Sequence, residues 1–138
     1  MEIVSFLKAN GAKPKRDLQE LWKRIVFSMA VSNTDDHFRN HGFLLSDTGW
    51  ELSPLYDVNP DIYGEYLSLN VDGDHSSIDF ELAVESAPYY GIEENEALET
   101  INRIKEIVRD NWRTIAGKYG INRGEIQRMS LAFRECEK

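Results

Sequence analysis

Asn33-Thr34-Asp35-Asp36-His37-Phe38-Arg39-Asn40-His41-Gly42 runs directly into Phe43-Leu44-Leu45-Ser46-Asp47-Thr48-Gly49-Trp50-Glu51-Leu52, and the reading of these two segments decides the fold. The first is a polar cluster without apolar periodicity, so it reads as a loop. The second places two short apolar runs around a turn that ends in Gly49, which is a β-hairpin signal. Most of the remaining chain carries helical spacing. The expected fold class is therefore α+β, mostly helical, with one small β-hairpin beside a polar loop.

Upstream of the loop, Leu18, Leu21, Trp22, Ile25, Val26 and Met29 recur at intervals of three and four, which predicts an amphipathic helix. Asp17 with Glu20 predicts a capping box at its start. Ile3, Val4, Phe6 and Leu7 share one face of a shorter helix, and Gly11 and Pro14 break the chain between the two. Downstream, Ser53-Pro54-Leu55-Tyr56-Asp57-Val58-Asn59-Pro60 is a loop pinned by two prolines. Leu67-Ser68-Leu69-Asn70-Val71 alternates and predicts a strand. Asp72-Gly73-Asp74 predicts a plain turn, because the other ligands of a calcium loop are missing. Residues 78–86 predict a short helix that stops before Pro88. Leu98, Ile101, Ile104, Val108, Trp112 and Ile115 predict one face of a long helix closing near Gly117 or Gly120. Asn122 with Glu125 predicts the cap of a last helix carrying Ile126, Met129 and Phe133.

The 138 residues fit a single domain, 1–138. Sixteen basic against twenty-four acidic residues give a net charge of -8, so direct nucleic-acid binding is not expected, and cations or basic proteins suit the surface better. No run approaches the roughly 18 apolar residues of a membrane helix, and the first residues lack the pattern of a signal peptide. The expected localisation is cytoplasmic. Cys136 is the single cysteine, which rules out an intramolecular disulfide or a Cys-rich zinc site. Third from the end of the sequence, it is expected to lie in a frayed end.

Three polar residues stand out by their order. Asn40 follows Asp35 by five residues, and Asp57 follows Asp35 by twenty-two, beyond the hairpin. An acid, an amide five further on, a hairpin and a second acid is the order found in protein kinases. Phosphoryl transfer spreads negative charge over the transferring oxygens, so positioning and metal neutralisation dominate its catalysis. Magnesium prefers oxygen ligands, which a carboxylate and a carboxamide supply. Helix capping and turn formation also favour Asp and Asn, but do not account for all three positions together.

At these residues the chain resembles the HipA-like serine/threonine kinases of bacterial toxin–antitoxin systems. The resemblance rests on Asn33 through Leu44 and on Trp50 through Pro60, and continues through Leu67 to Asp74 and Ala87-Pro88-Tyr89-Tyr90-Gly91. It implies a kinase C-terminal lobe working with ATP and Mg2+. It also implies that Asp35 is the catalytic base or hydroxyl-orienting acid, and that Asn40 and Asp57 are metal ligands. Asp36, His37 and Arg39 would support the active-site loop. A kinase of this kind also needs a glycine-rich phosphate loop and a strand-borne lysine. Lys8, Lys13 and Lys15 sit in the wrong setting, so the chain reads as the C-terminal lobe alone, with the N-terminal nucleotide-clamping lobe absent or supplied by a partner subunit. It is expected to be inactive alone. A DNA-binding antitoxin is a further implied partner, and the protein substrate is left open.

Two other readings compete. One is a metal-dependent phosphohydrolase using Asp35, Asp36, His37, His41 and Asp57, although Phe38 stands where a zinc-protease helix needs Glu. The other is a non-catalytic module that binds an antitoxin or acts in transcriptional control.

Overall fold

The computed structural model describes residues 2–68, 70–72 and 75–138. Met1, Leu69 of the expected strand, and Gly73 and Asp74 of the expected turn lie outside them. Among the described residues, five helices and one hairpin follow in order: α1 (Glu2–Asn10), α2 (Pro14–Val31), β1 (Phe43–Ser46), β2 (Gly49–Leu52), α3 (Phe80–Ser86), α4 (Glu94–Lys118) and α5 (Arg123–Met129). Short 3-10 turns cover Phe38–Asn40, Ala87–Tyr90 and Ser130–Cys136.

α2 is the shared wall of the molecule. α1, α3, α4, β2 and the 3-10 turns at Ala87–Tyr90 and Ser130–Cys136 pack on it. Its spacing explains why: Leu18, Leu21, Trp22, Ile25, Val26 and Met29 are all buried. The first half of α2 closes a cluster with Ile3, Val4 and Leu7 of α1, Ala83 of α3, and Ala97 and Ile101 of α4. Its end, through Ala30 and Val31, joins a second cluster with Val108, Trp112, Phe133 and Cys136. There Trp112 stacks on Phe133 with ring centroids 4.2 Å apart.

The hairpin forms where expected, with Phe43 opposite Leu52 and Ser46 opposite Gly49. Gly49 has φ +146°, and a Cβ there would sit 2.8 Å from the Asn10 carbonyl oxygen, so the α1–α2 linker lies directly over it. Glu51 of β2 accepts from Arg16 at 2.7 Å, which ties the hairpin to the start of α2.

Four expectations need correction. Asp17 caps nothing: α2 begins at Pro14, and Asp17 is buried inside it, accepting a hydrogen bond from the Leu52 backbone N–H at 2.9 Å. The segment around Leu67 is not a strand among the described residues; only Tyr66 bridges Ser77 there. The buried face of α4 is turned by one residue at each end. Ala97 and Ala116 are buried, Ala97 within the cluster that α2 closes, while Leu98 and Ile115 are exposed.

The last correction concerns Cys136, which is fully buried rather than frayed, with Sγ 3.2 Å from the Ala30 carbonyl oxygen. Burial pushes its thiol up to about 11. A thiol reagent at pH 8 is expected to label Cys136 about a hundredfold more slowly than a free cysteine until the chain unfolds. Labelling at the free-cysteine rate in native protein would show that the C-terminal turn does not dock on α2.

Candidate functional site

The polar loop starts where α2 ends. Ser32 takes the left-handed conformation, φ 54°, and its hydroxyl donates to the Ala132 carbonyl at 2.6 Å. This turns the chain out of the helix and anchors the turn to the C-terminal packing. Asn33 follows, 1% exposed. Its Nδ2 donates to Ser28 Oγ at 3.3 Å, and its Oδ1 accepts from the Asn59 backbone N–H at 3.2 Å. A buried side chain on the first loop thus holds the backbone of the loop that carries Asp57.

Two further ties join the same pair of segments. Tyr56 Oη donates to the Arg39 carbonyl at 2.8 Å, and the Ser53 backbone N–H donates to the Gly42 carbonyl at 2.8 Å. Arg24, buried in α2, also reaches over, donating to the Ser53 carbonyl at 2.7 Å. The Asp57 segment is therefore stitched along the Asp35–Asn40 segment at three places: Asn33 and Asn59 lie two residues from Asp35 and Asp57, Tyr56 is next to Asp57, and Gly42 is two residues from Asn40.

Within that frame, Asp35 and Asp57 are exposed and Asn40 is buried. Asn40 Nδ2 donates to the Asp35 carbonyl at 2.9 Å. A carbonyl can only accept, so this bond fixes which way the carboxamide points and leaves Oδ1, its one metal-binding atom, on the other side. Asp57 sits at φ 56°, a left-handed conformation that Asp and Asn tolerate better than other L-residues. Its Oδ1 accepts from Asn59 Nδ2 at 2.9 Å, which leaves the second carboxylate oxygen for another partner.

The supporting residues divide. Asp36 and His41 are buried and face each other, with Nε2 and Oδ1 2.7 Å apart. His37 is half-buried, and Arg39 is exposed and contributes its carbonyl to Tyr56. No group of three or more His, Cys, Asp or Glu residues able to hold a metal occurs among the described residues. The five-residue set of a phosphohydrolase therefore does not assemble. A kinase-type magnesium site has no such need, since it uses one or two protein ligands together with substrate phosphates.

A third segment closes the site's flank. Thr34 Oγ1 donates to Asp61 Oδ2 at 2.9 Å, Ser68 Oγ donates to the Thr34 carbonyl, and the Asp61 carboxylate also accepts from the Tyr63 N–H at 2.8 Å. The Tyr63 and Thr34 bonds, with Arg134 nearby, hold the Asp61 carboxyl below its ordinary 3.8. A lowered carboxylate pKa contributes stability above the unfolded value and loses it as pH falls through the folded value. Asp61→Asn is thus expected to cost stability at pH 6 and to cost progressively less below about pH 4, as wild type loses the same contribution. Urea unfolding across that range checks it; a pH-independent difference would show that the charge of Asp61 is not what braces Thr34.

The sequence pattern pointed to Asp35, Asn40 and Asp57 but not to Asn33, Tyr56 or Arg24, which hold them. A buried Asn immediately after a helix end, with a proline-pinned loop downstream, was the available signal. No helix among the described residues is long and apolar enough to cross a membrane. One protein-family model, the HipA-like C-terminal domain, matches residues 1–112, a span that contains every residue of this site apart from the Ala132 and Arg134 supports. No curated protein matches the chain.

Proposed function

The chain belongs to the HipA-like C-terminal domain family, and from that membership we propose that it is the catalytic and metal-binding lobe of an ATP-dependent serine/threonine protein kinase of a bacterial toxin–antitoxin system. The observation that carries the reading is the stitching of two loops into one surface, with Asn33 joined to Asn59 and Arg39 joined to Tyr56. A kinase needs its first acid, its amide and its second acid around one transferring phosphoryl group, and random turn residues have no need of such ties.

Each residue then has a role. The exposed Asp35 carboxylate accepts the proton of the substrate hydroxyl as that oxygen becomes a nucleophile. Asn40 Oδ1 and the free oxygen of Asp57 would hold Mg2+, which when bound neutralises charge on the nucleotide phosphates. The Asn40–Asp35 hydrogen bond sets the spacing of the two groups before substrate arrives, so little reorganisation is left for the reaction. We infer that the phosphate loop and its lysine come from a second lobe. The exposed Leu44 and Leu45 of the hairpin, 58% and 69% accessible, favour a covering partner on that side. A DNA-binding antitoxin is a further proposed partner, and the cytoplasm the proposed location.

The test is to join this chain to a HipA-like N-terminal lobe, in one chain or in trans, and to follow transfer of the ATP γ-phosphate to serine or threonine in cell protein or in the kinase itself. Transfer that needs both lobes and Mg2+ supports the reading. Transfer that survives simultaneous Asp35→Ala and Asp57→Ala would falsify it.

A further inference from the structure

The loop bearing Asp35 and Asn40 is closed by a buried pair. Asp36 and His41 are 5% and 8% exposed, and His41 Nε2 stands 2.7 Å from Asp36 Oδ1. The contact lies at ion-pair distance without the alignment of a hydrogen bond, and among the described residues His41 Nδ1 and His37 Nδ1 are buried without a partner. A loop shaped for stability alone satisfies its buried polar atoms. Under-satisfied ones collect where geometry is held for another purpose.

The position of the pair indicates that purpose. Asp36 directly follows Asp35, and His41 directly follows Asn40. Adjacent Cα atoms are fixed at about 3.8 Å by the planar peptide, so joining Asp36 to His41 also fixes how far Asp35 and Asn40 can separate. The Asn40–Asp35 hydrogen bond spans the same short loop from the inside. Two backbone bonds, His37 N–H to the Asp35 carbonyl at 3.1 Å and Asn40 N–H to the His37 carbonyl at 2.9 Å, shape the same short loop, but the Asp36–His41 contact is the one between two side chains that spans it from end to end.

We propose that His41, seated on Asp36, is the positioning residue that keeps the Asn40 carboxamide in register with Asp35. The proposal rests on the reading of Asn40 and Asp35 as site groups, and the test separates the two. It uses this chain with His41→Leu, His41→Gln, and Val108→Ala as a remote core control. Gln reaches far enough to place a nitrogen near the position of Nε2, whereas Leu fills space without one.

The metal-free readout is hydrogen exchange at the Asn40 side-chain amide. Relative to wild type, His41→Leu is expected to accelerate it about tenfold or more, while His41→Gln and Val108→Ala stay within about threefold. Should His41→Leu not fold, His41→Asn, polar but too short to reach, is expected to show the same acceleration. The second readout is Mn2+ affinity from line broadening, which His41→Leu weakens about tenfold and His41→Gln largely preserves. Unchanged Asn40 exchange in His41→Leu overturns the clamp, and so does equal acceleration in Leu and Gln. Absence of Mn2+ broadening at either loop in wild type overturns the metal-ligand reading instead, while the exchange data still decide the clamp.

Discussion

Asp35→Asn in the two-lobe enzyme is expected to lower kcat for phosphoryl transfer by about 10²–10⁴-fold, the contribution of a positioned general base. Asp35 is exposed, so the substitution removes a charge and leaves packing untouched; unfolding stability should stay within about 0.5 kcal/mol of wild type. KM for ATP should hardly move. Asp57→Asn is expected to act differently. Asn tolerates the left-handed backbone at position 57, so the loop keeps its path. The lost oxygen charge should instead raise the Mg2+ concentration needed for half-maximal rate. Steady-state kinetics over a magnesium series separates the two signatures. An Asp35→Asn enzyme whose defect is rescued by magnesium would exchange the two assigned roles.

The largest effect on folding is expected at Trp22. Its ring is fully buried in the middle of α2, and its Nε1 donates to the Ala83 carbonyl of α3 at 2.9 Å. Trp22→Ala removes a fully buried Trp from the core and one of the two side-chain hydrogen bonds to that carbonyl, which Ser86 Oγ also donates to at 3.1 Å, at a cost of about 3–5 kcal/mol. Against a total stability of about 5–15 kcal/mol, that is between a fifth and the whole of what holds the fold. Trp22→Phe fills most of the space but donates nothing, and is expected to cost about 1–3 kcal/mol. Urea unfolding followed by Trp112, which stacks on Phe133 in the second cluster, reports whether loss at Trp22 spreads across the whole domain. A Trp22→Ala loss below about 1 kcal/mol would mean that α2 is not the shared wall.

What could be read from the chain depended on whether the physics was local. The α2 periodicity and the hairpin turn at Gly49 are statements about neighbouring residues, and both elements form where their spacing predicts. Asp17 misled because its side chain answers to Leu52, thirty-five residues away, rather than to the helix end beside it. Leu98 and Ile115 misled because hydrophobicity alone does not fix which face of a long helix turns inward; the neighbouring Ala97 and Ala116 are the buried residues. Cys136 is held by Ala30, a contact no local pattern announces.

The site divides in the same way. The order of Asp35, Asn40 and Asp57 is chemical and visible in the sequence. The ties through Asn33, Tyr56 and Arg24 exist only after folding, because they join segments distant in the chain.

The central claim is that two loops present one metal-binding surface. Mn2+ line broadening on the 15N-labelled chain tests it most directly. The account predicts that amides of residues 35–41 and 56–59 broaden together at the same low Mn2+ concentration, and that Asp57→Asn removes the broadening from both. Broadening confined to one loop, or spread over the acidic surface and indifferent to Asp57→Asn, would contradict it.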